Sequence, residues 1–144
     1  SNAFQSSGLA QWIGSFSVYL YDLNIYLLIL ISVAVIIFLT ELNSNTATVA
    51  TFTPILIIFA VGIEVNPLFF VIPTTIAASC AFMLPIATPP NAVIFGSGKV
   101  NINDMVKVGI RLNLVSVITV TTLTLIILKF FHNIDIKQLP DWIN

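Results

Sequence analysis

Charged residues are scarce in this sequence. Only 8% of its 144 residues are charged, whereas an ordinary soluble domain is about 25% charged. Five basic and six acidic residues give a net charge of −1, which excludes the basic face of a nucleic-acid-binding protein. One cysteine and one histidine are too few for a disulfide framework, a metal cluster or a nucleophile–base pair. We therefore expect no enzyme and no resident cofactor, with Cys80 a core residue and His132 an interfacial one.

Apolar residues take the place of charge: they make up 58% of the chain, and its mean hydropathy is +1.04. Because about 20 apolar residues cross a bilayer, the uncharged runs predict an all-α, multi-pass integral membrane protein. We expect it in the plasma or inner membrane. These runs span residues 23–40, 42–63, 65–98 and 112–128. Residues 1–3 resemble an expression-tag remnant, and no signal peptide follows them, so we expect the chain to begin inside a larger protein.

Turn and capping signals divide the chain further. Aromatic residues suited to the headgroup region predict a short or interfacial helix over 4–23. Two apolar arms follow in 24–62, with a polar tip at 41–46, and they are either two full spans or one re-entrant hairpin. A helix from Pro67 to about Leu84 belongs to a broken transmembrane helix at 67–98, with its break at 87–90. The final transmembrane helix is predicted at 104–131 and a polar tail at 132–144.

The polar tip at 41–46 and the break at 87–90, the two polar breaks in the apolar sequence, contain the candidate binding residues. Lipid cannot hydrogen-bond freed backbone groups, so the break at 87–90 must be buried in protein or line a cavity. Ser44, Asn45 and Thr46 offer polar side chains at a helix N-terminus, which attracts anions. Carbonyls released near residues 40–43 suit a small cation, and Glu41 is expected to orient the tip. Adjacent anion and cation sites predict a co-transporter.

Orientation follows from positive charge. Lys99, Lys107 and Arg111 surround one loop, which we expect on the cytoplasmic side, and this places the turn at Glu64 outside. Rings of charge that would indicate a channel are not visible in the sequence.

Two runs, TELNSNTAT at 40–48 and ASCAFMLPIATPPNAVIF at 78–95, resemble the divalent-anion/sodium symporter family. Residues 104–109, in a stretch that runs on to Asn113, are similar to that family too. The resemblance implies the second half of an inverted-repeat transporter, with 24–62 as the re-entrant hairpin. It also implies that the N-terminal half of the same transporter, with its own Ser-Asn-Thr tip, is a partner, and that the protein is a homodimer working as an elevator.

The resemblance further implies the site residues. Sodium, the coupling ion, would be held by Thr40, Asn45 and the carbonyls of Asn43 and Ala87. Asn43 replaces a small residue, but only its carbonyl is needed. The substrate carboxylate would meet Ser44, Asn45, Thr46, Thr88 and Pro89.

The predicted function is sodium-coupled symport of dicarboxylates such as succinate, malate or fumarate. The site has no Lys or Arg, so a dianion needs bound cations to offset its charge. Alternatives are a sulfate or tricarboxylate carrier of the same build, or a sodium-independent dicarboxylate exchanger. A non-transporting membrane subunit is disfavoured by the two matching breaks.

Overall fold

The computed structural model describes residues 24–140, which form five α-helices and no strand. The helices are α1 (Ile25–Thr40), α2 (Asn45–Gly62), α3 (Leu68–Ala77), α4 (Pro89–Gly96) and α5 (Ile102–Ile126), and α5 continues into a π-helical turn at Ile127–Phe131. The all-α prediction is confirmed. The tag remnant at 1–3, the helix expected at 4–23 and residues 141–144 of the tail lie outside the described range.

Local signals start the first two helices. The Asn24 side chain accepts a hydrogen bond from the Tyr26 N–H at 2.9 Å, and the Ser44 hydroxyl accepts one from the Ala47 N–H at 3.2 Å. Both residues therefore act as N-caps, which satisfy N–H groups that lack an intrahelical partner. α1 is apolar all round and buries one face at helical spacing, formed by Leu28, Ile29, Val33, Ile36, Ile37 and Thr40.

Helix α1 packs against α3 and α5, and α3 also contacts α2. Two apolar clusters form the core. The turn-side cluster joins the start of α1 and α3 to the end of α2 and α5: Leu28, Ile29, Ala60, Ile63, Val65, Phe69, Phe70 and Leu128. The break-side cluster lies at the other end of α1 and α3: Val33, Ile36, Ile37, Ala77, Ala78 and Val117. The two clusters show that α1 and α3 run parallel, with α2 and α5 antiparallel to them.

Helix α3 ends earlier than the sequence predicts. We expected helix to about Leu84 and a break at 87–90, but α3 stops at Ala77 and α4 begins at Pro89. The intervening segment 78–88 contains no helix, and the N–H groups of residues 82–84 within it bind the Glu41 carboxylate instead of carbonyls one turn back. The break is therefore longer than its proline signal indicates.

The tail closes the turn side of the bundle. Asn66, in the turn before α3, donates its backbone N–H to the Ile136 carbonyl at 2.8 Å and its side-chain amide to the Gln138 carbonyl at 2.9 Å. Its side-chain oxygen accepts the Leu68 N–H at 3.1 Å. Ile134 and Ile136 pack on the turn-side cluster.

The helices differ in whether they are long enough to cross a membrane. Within residues 24–140, two helices are long and apolar enough to cross a membrane: Asn45–Gly62 and α5 with its π-helical turn, Ile102–Phe130. The 16 residues of α1 measure about 24 Å at 1.5 Å per residue, and the hydrocarbon core is about 30 Å thick. The length of α1 therefore falls short of a perpendicular crossing.

Candidate functional site: the cavity between the tip and the break

The tip after α1 and the break before α4 line one cavity of about 620 Å³. The tip contributes Ser44 and Asn45. The other lining residues come from the break segment and the start of α4: Ser79, Phe82, Ala87, Thr88, Pro89, Pro90 and Asn91. The structure thus brings together two polar segments that are about forty residues apart in the sequence, and no Lys or Arg is among the lining residues.

Two helices begin at this cavity. Ser44 caps α2 and Thr88 caps α4, although the contact from the Asn91 N–H to the Thr88 hydroxyl is long at 3.5 Å. Each helix N-terminus carries a partial positive charge and N–H groups without intrahelical partners. Pro89 and Pro90 supply no N–H, so α2 is the richer donor. The cavity is therefore suited to a carboxylate or another anion.

Thr40, the fully buried last residue of α1, lies where three oxygen atoms converge. Its hydroxyl oxygen is 2.8 Å from the Asn45 side-chain oxygen and 2.7 Å from the Ala78 carbonyl oxygen. One hydroxyl proton serves only one of these acceptors. The arrangement is satisfied when the Asn45 amide turns to present its NH₂, or when a cation lies against the oxygens. A cluster of neutral oxygens is a ligand set for a hard monovalent cation.

Glu41 follows Thr40 and is only 2% exposed. Its Oε1 accepts the N–H groups of Phe82 and Met83 at 2.8 and 2.9 Å, and its Oε2 accepts that of Leu84 at 3.0 Å. The side-chain amide of Asn113 on α5 donates to Oε1 at 2.7 Å. Four donors therefore surround the carboxylate, and no salt bridge to it is found among the described residues.

The predicted site residues are only partly gathered here. Of the substrate set, Ser44, Asn45, Thr88 and Pro89 line the cavity, whereas Thr46 is exposed and is not among the lining residues. Of the sodium set, Thr40 and Asn45 are in contact and Ala87 lines the cavity. Asn43 is exposed, and its N–H bonds the Leu39 carbonyl at 3.2 Å. The carbonyl that meets Thr40 belongs to Ala78 and not to Ala87.

Comparison with known proteins assigns the chain to a family. The family described as the sodium:sulfate symporter transmembrane region matches residues 1–132. The chain belongs to this sodium:sulfate symporter family. The family's description is that of a transmembrane transport protein and not of an enzyme, so the chain is part of an integral membrane protein.

Curated relatives agree. The chain is 41% identical over 138 residues to the sodium-dependent dicarboxylate transporter SdcS of Staphylococcus aureus strain MRSA252, covering 96% of the chain and 26% of that protein. It is 36% identical over 138 residues to the protein of the same name from Staphylococcus saprophyticus, covering 96% of the chain and 27% of the relative. The chain thus spans about a quarter of the length of these relatives.

The sequence-based assignment of site residues missed two residues of this symporter-family chain. Asn91, buried in α4, donates its side-chain amide to the carbonyls of Ala81 and Leu84, both at 3.0 Å, and so holds the break segment. Asn113 is fully buried on α5 and binds Glu41. The available signal was weak: Asn113 is a lone amide in an uncharged run, one turn after Gly109.

Gly109 explains how α5 comes so near the break. A Cβ atom built there would lie 2.4 Å from the Met83 Cα and 2.5 Å from the Phe82 carbonyl oxygen. Only a residue without a side chain permits this approach of helix and backbone. Because Asn113 lies one turn further on the same face, the approach brings its amide within reach of Glu41.

Proposed function

We propose that the full-length protein containing this chain is a sodium-coupled symporter of dicarboxylates such as succinate, malate or fumarate. The observation that carries this proposal is the cavity shared by the tip and the break. Its polar lining consists of hydroxyls, amides and backbone groups. A dianion held there without Lys or Arg needs cations to offset its charge, and this supports coupling to sodium.

The site residues have two roles in this proposal. Thr40, Asn45 and the carbonyls of Asn43 and Ala87 hold sodium, with the Ala78 carbonyl as a further ligand because of its contact with Thr40. The substrate carboxylate meets the N-terminal ends of α2 and α4. The residues that bind it are Ser44, Asn45, Thr46, Thr88 and Pro89.

The membrane arrangement belongs to the same proposal. The short α1 and the cavity that the tip shares with the break support a re-entrant hairpin over 24–62, whose tip meets the break inside the membrane. The cavity is open, which fits completion of the site by the other half of an inverted-repeat transporter. We further propose a homodimer whose transport domains move across the membrane as elevators.

Sulfate is the second candidate substrate, and the family's description supports it. Sulfate and a dicarboxylate are both dianions that neutral donors can bind, so the donor set alone does not discriminate between them. The SdcS relatives are named as dicarboxylate transporters, which favours dicarboxylates. Tricarboxylate transport and sodium-independent exchange remain as alternatives for the assay.

Uptake into proteoliposomes that contain the full-length protein tests the proposal. We expect labelled succinate to enter when an inward sodium gradient is imposed, and not with potassium in its place. Excess unlabelled malate should suppress uptake more strongly than excess sulfate. Uptake that ignores sodium and requires internal dicarboxylate would instead identify an exchanger, and stronger suppression by sulfate would identify a sulfate carrier.

Asn45→Ala localises the activity. Since Asn45 lies at both the cation and the substrate side of the tip, we expect uptake to fall at least about a hundredfold, or about 2.7 kcal/mol. The control is Asn101→Ala, because the Asn101 side chain is exposed and makes no capping hydrogen bond. If the two variants insert equally and take up succinate equally, the tip is not part of the binding site.

A further inference from the structure

Glu41 is a buried acid that the proposed transport cycle does not use. We propose that Glu41 is a positioning residue that sets the sodium affinity of the site by fixing segment 78–84 against the end of α1. This inference rests on the proposed function, and it concerns a residue that contacts neither sodium nor substrate.

The geometry joins two attachments of one segment. At its start, the Ala78 carbonyl meets the Thr40 hydroxyl at 2.7 Å. A few residues later, the N–H groups of residues 82–84 end on the Glu41 carboxylate at 2.8–3.0 Å. Because Thr40 and Glu41 are adjacent, these hydrogen bonds hold the Ala78 carbonyl, Thr40 and the tip in one fixed arrangement.

The donor set suits an ionised carboxylate. Oε1 faces two backbone N–H groups and the Asn113 amide, and Oε2 faces a third N–H. An amide in place of the carboxylate would turn one NH₂ group toward these donors. Hydrogen bonds to charged acceptors are among the strong ones in proteins, so a carboxylate at position 41 holds the N–H groups of residues 82–84 more firmly than an amide would.

The Glu41 carboxylate is also held from α5, by the side-chain amide of Asn113. Its Nδ2 faces Glu41, which forces its Oδ1 to the other side, where that buried oxygen has no hydrogen-bond partner among the described residues. Asn113→Ala removes the hydrogen bond to Glu41 and, with it, the buried Oδ1 that has no partner. We therefore expect this variant to fold well. It leaves the charge of Glu41 in place.

Preorganised ligands bind an ion without having to be ordered first. When the attachment to Glu41 is lost, the Ala78 carbonyl and the Thr40 hydroxyl drift apart, and sodium binding must restore their arrangement. The expected effect is a higher sodium half-saturation with a maximal uptake rate that is largely kept, because the substrate contacts of Ser44 and Thr88 are untouched.

The experiment compares three variants of the full-length transporter in proteoliposomes. Sodium is titrated at fixed saturating succinate. We expect Glu41→Gln to raise the sodium half-saturation at least about tenfold, corresponding to about 1.4 kcal/mol, and Asn113→Ala to raise it about threefold. Glu64→Gln, the same change at an exposed acid, should leave it unchanged.

The outcomes separate the possible roles. Wild-type half-saturation in both Glu41→Gln and Asn113→Ala, with or without a lower maximal rate, would overturn the proposal and leave Glu41 a structural residue. A rise in Glu41→Gln alone would overturn positioning in favour of a purely electrostatic effect. If Glu41→Gln does not insert, the Asn113→Ala titration decides. Wild-type transport that does not respond to sodium would refute the proposed function itself, which is a different result.

Discussion

Gly109→Ala probes the contact between α5 and the break. The added Cβ would lie 2.4 Å from the Met83 Cα, 2.5 Å from the Phe82 carbonyl oxygen and 2.7 Å from the Met83 nitrogen. Ordinary carbon–carbon contacts begin near 3.5 Å, so the helix and the break must separate by about 1 Å. All three atoms belong to the backbone, so no side-chain rotation relieves the clash.

Two opposing terms give the magnitude. Alanine is about 1 kcal/mol more favourable than glycine inside a helix, whereas overpacking costs typically about 1–3 kcal/mol. The expected net loss of stability is therefore modest, up to about 2 kcal/mol. The sodium concentration that gives half-maximal uptake should also rise, because a shift of about 1 Å at Phe82 and Met83 moves their N–H groups away from Glu41.

Thermal unfolding and sodium-driven uptake of the purified full-length protein measure both effects. We expect Gly109→Ala to melt a few degrees lower and to need more sodium for half-maximal uptake. Gly96→Ala is the control, since a Cβ there meets nothing within 4 Å. If Gly109→Ala and Gly96→Ala have the same melting temperature and the same sodium dependence of uptake, α5 does not approach the break as described.

Four further predictions follow from the same contacts. Thr40→Val should abolish sodium stimulation and Thr40→Ser should retain it, as read from sodium titrations of uptake; equal behaviour of the two would exclude the hydroxyl as a ligand. Asn66→Ala should lower the melting temperature by several degrees because it removes the acceptor of the Leu68 N–H at the start of α3 and one bond to the tail, and an unchanged melting curve would contradict the tail's role. Uptake should be indifferent to Ca²⁺ or Mg²⁺, since neutral ligands disfavour divalent ions, and stimulation by either ion at constant sodium would argue against this ligand set. Residues 4–144 alone should neither transport nor bind succinate tightly in an equilibrium binding assay, because the proposed site requires the other half of the transporter; micromolar binding would show that residues 4–144 are sufficient.

The sequence predicts those features that depend on neighbouring residues. Ser44 caps α2, and the polar tip follows an uncharged run, so the position of this helix start is readable from local signals. The paired breaks point to one site, because polar backbone inside an apolar protein needs a partner. The re-entrant hairpin, which spacing alone left open, stays a prediction that rests on the resemblance to a symporter family.

Other features depend on residues far apart in the sequence. Residues 78–84 are helix-compatible by residue type, but in the structure the N–H groups of residues 82–84 bind the carboxylate at position 41 instead of continuing the helix. The sequence suggested that Glu41 orients the tip, but its partners at 82–84 and Asn113 become visible only in three dimensions. The same holds for Ala78, whose carbonyl approaches Thr40 although the expected carbonyl was that of Ala87.

The bonds between Asn66 and the tail bear on biosynthesis. The two partners in the Asn66–Gln138 contact are 72 residues apart, and a ribosome adds roughly 5–20 residues per second. The turn before α3 therefore waits about 4–14 s for the segment that pairs with it. During that interval the turn-side cluster lacks Leu128, Ile134 and Ile136, and the Asn66 amide has no protein acceptor from the tail. A nascent chain halted after α5 would therefore lack the contacts that close this end of the bundle.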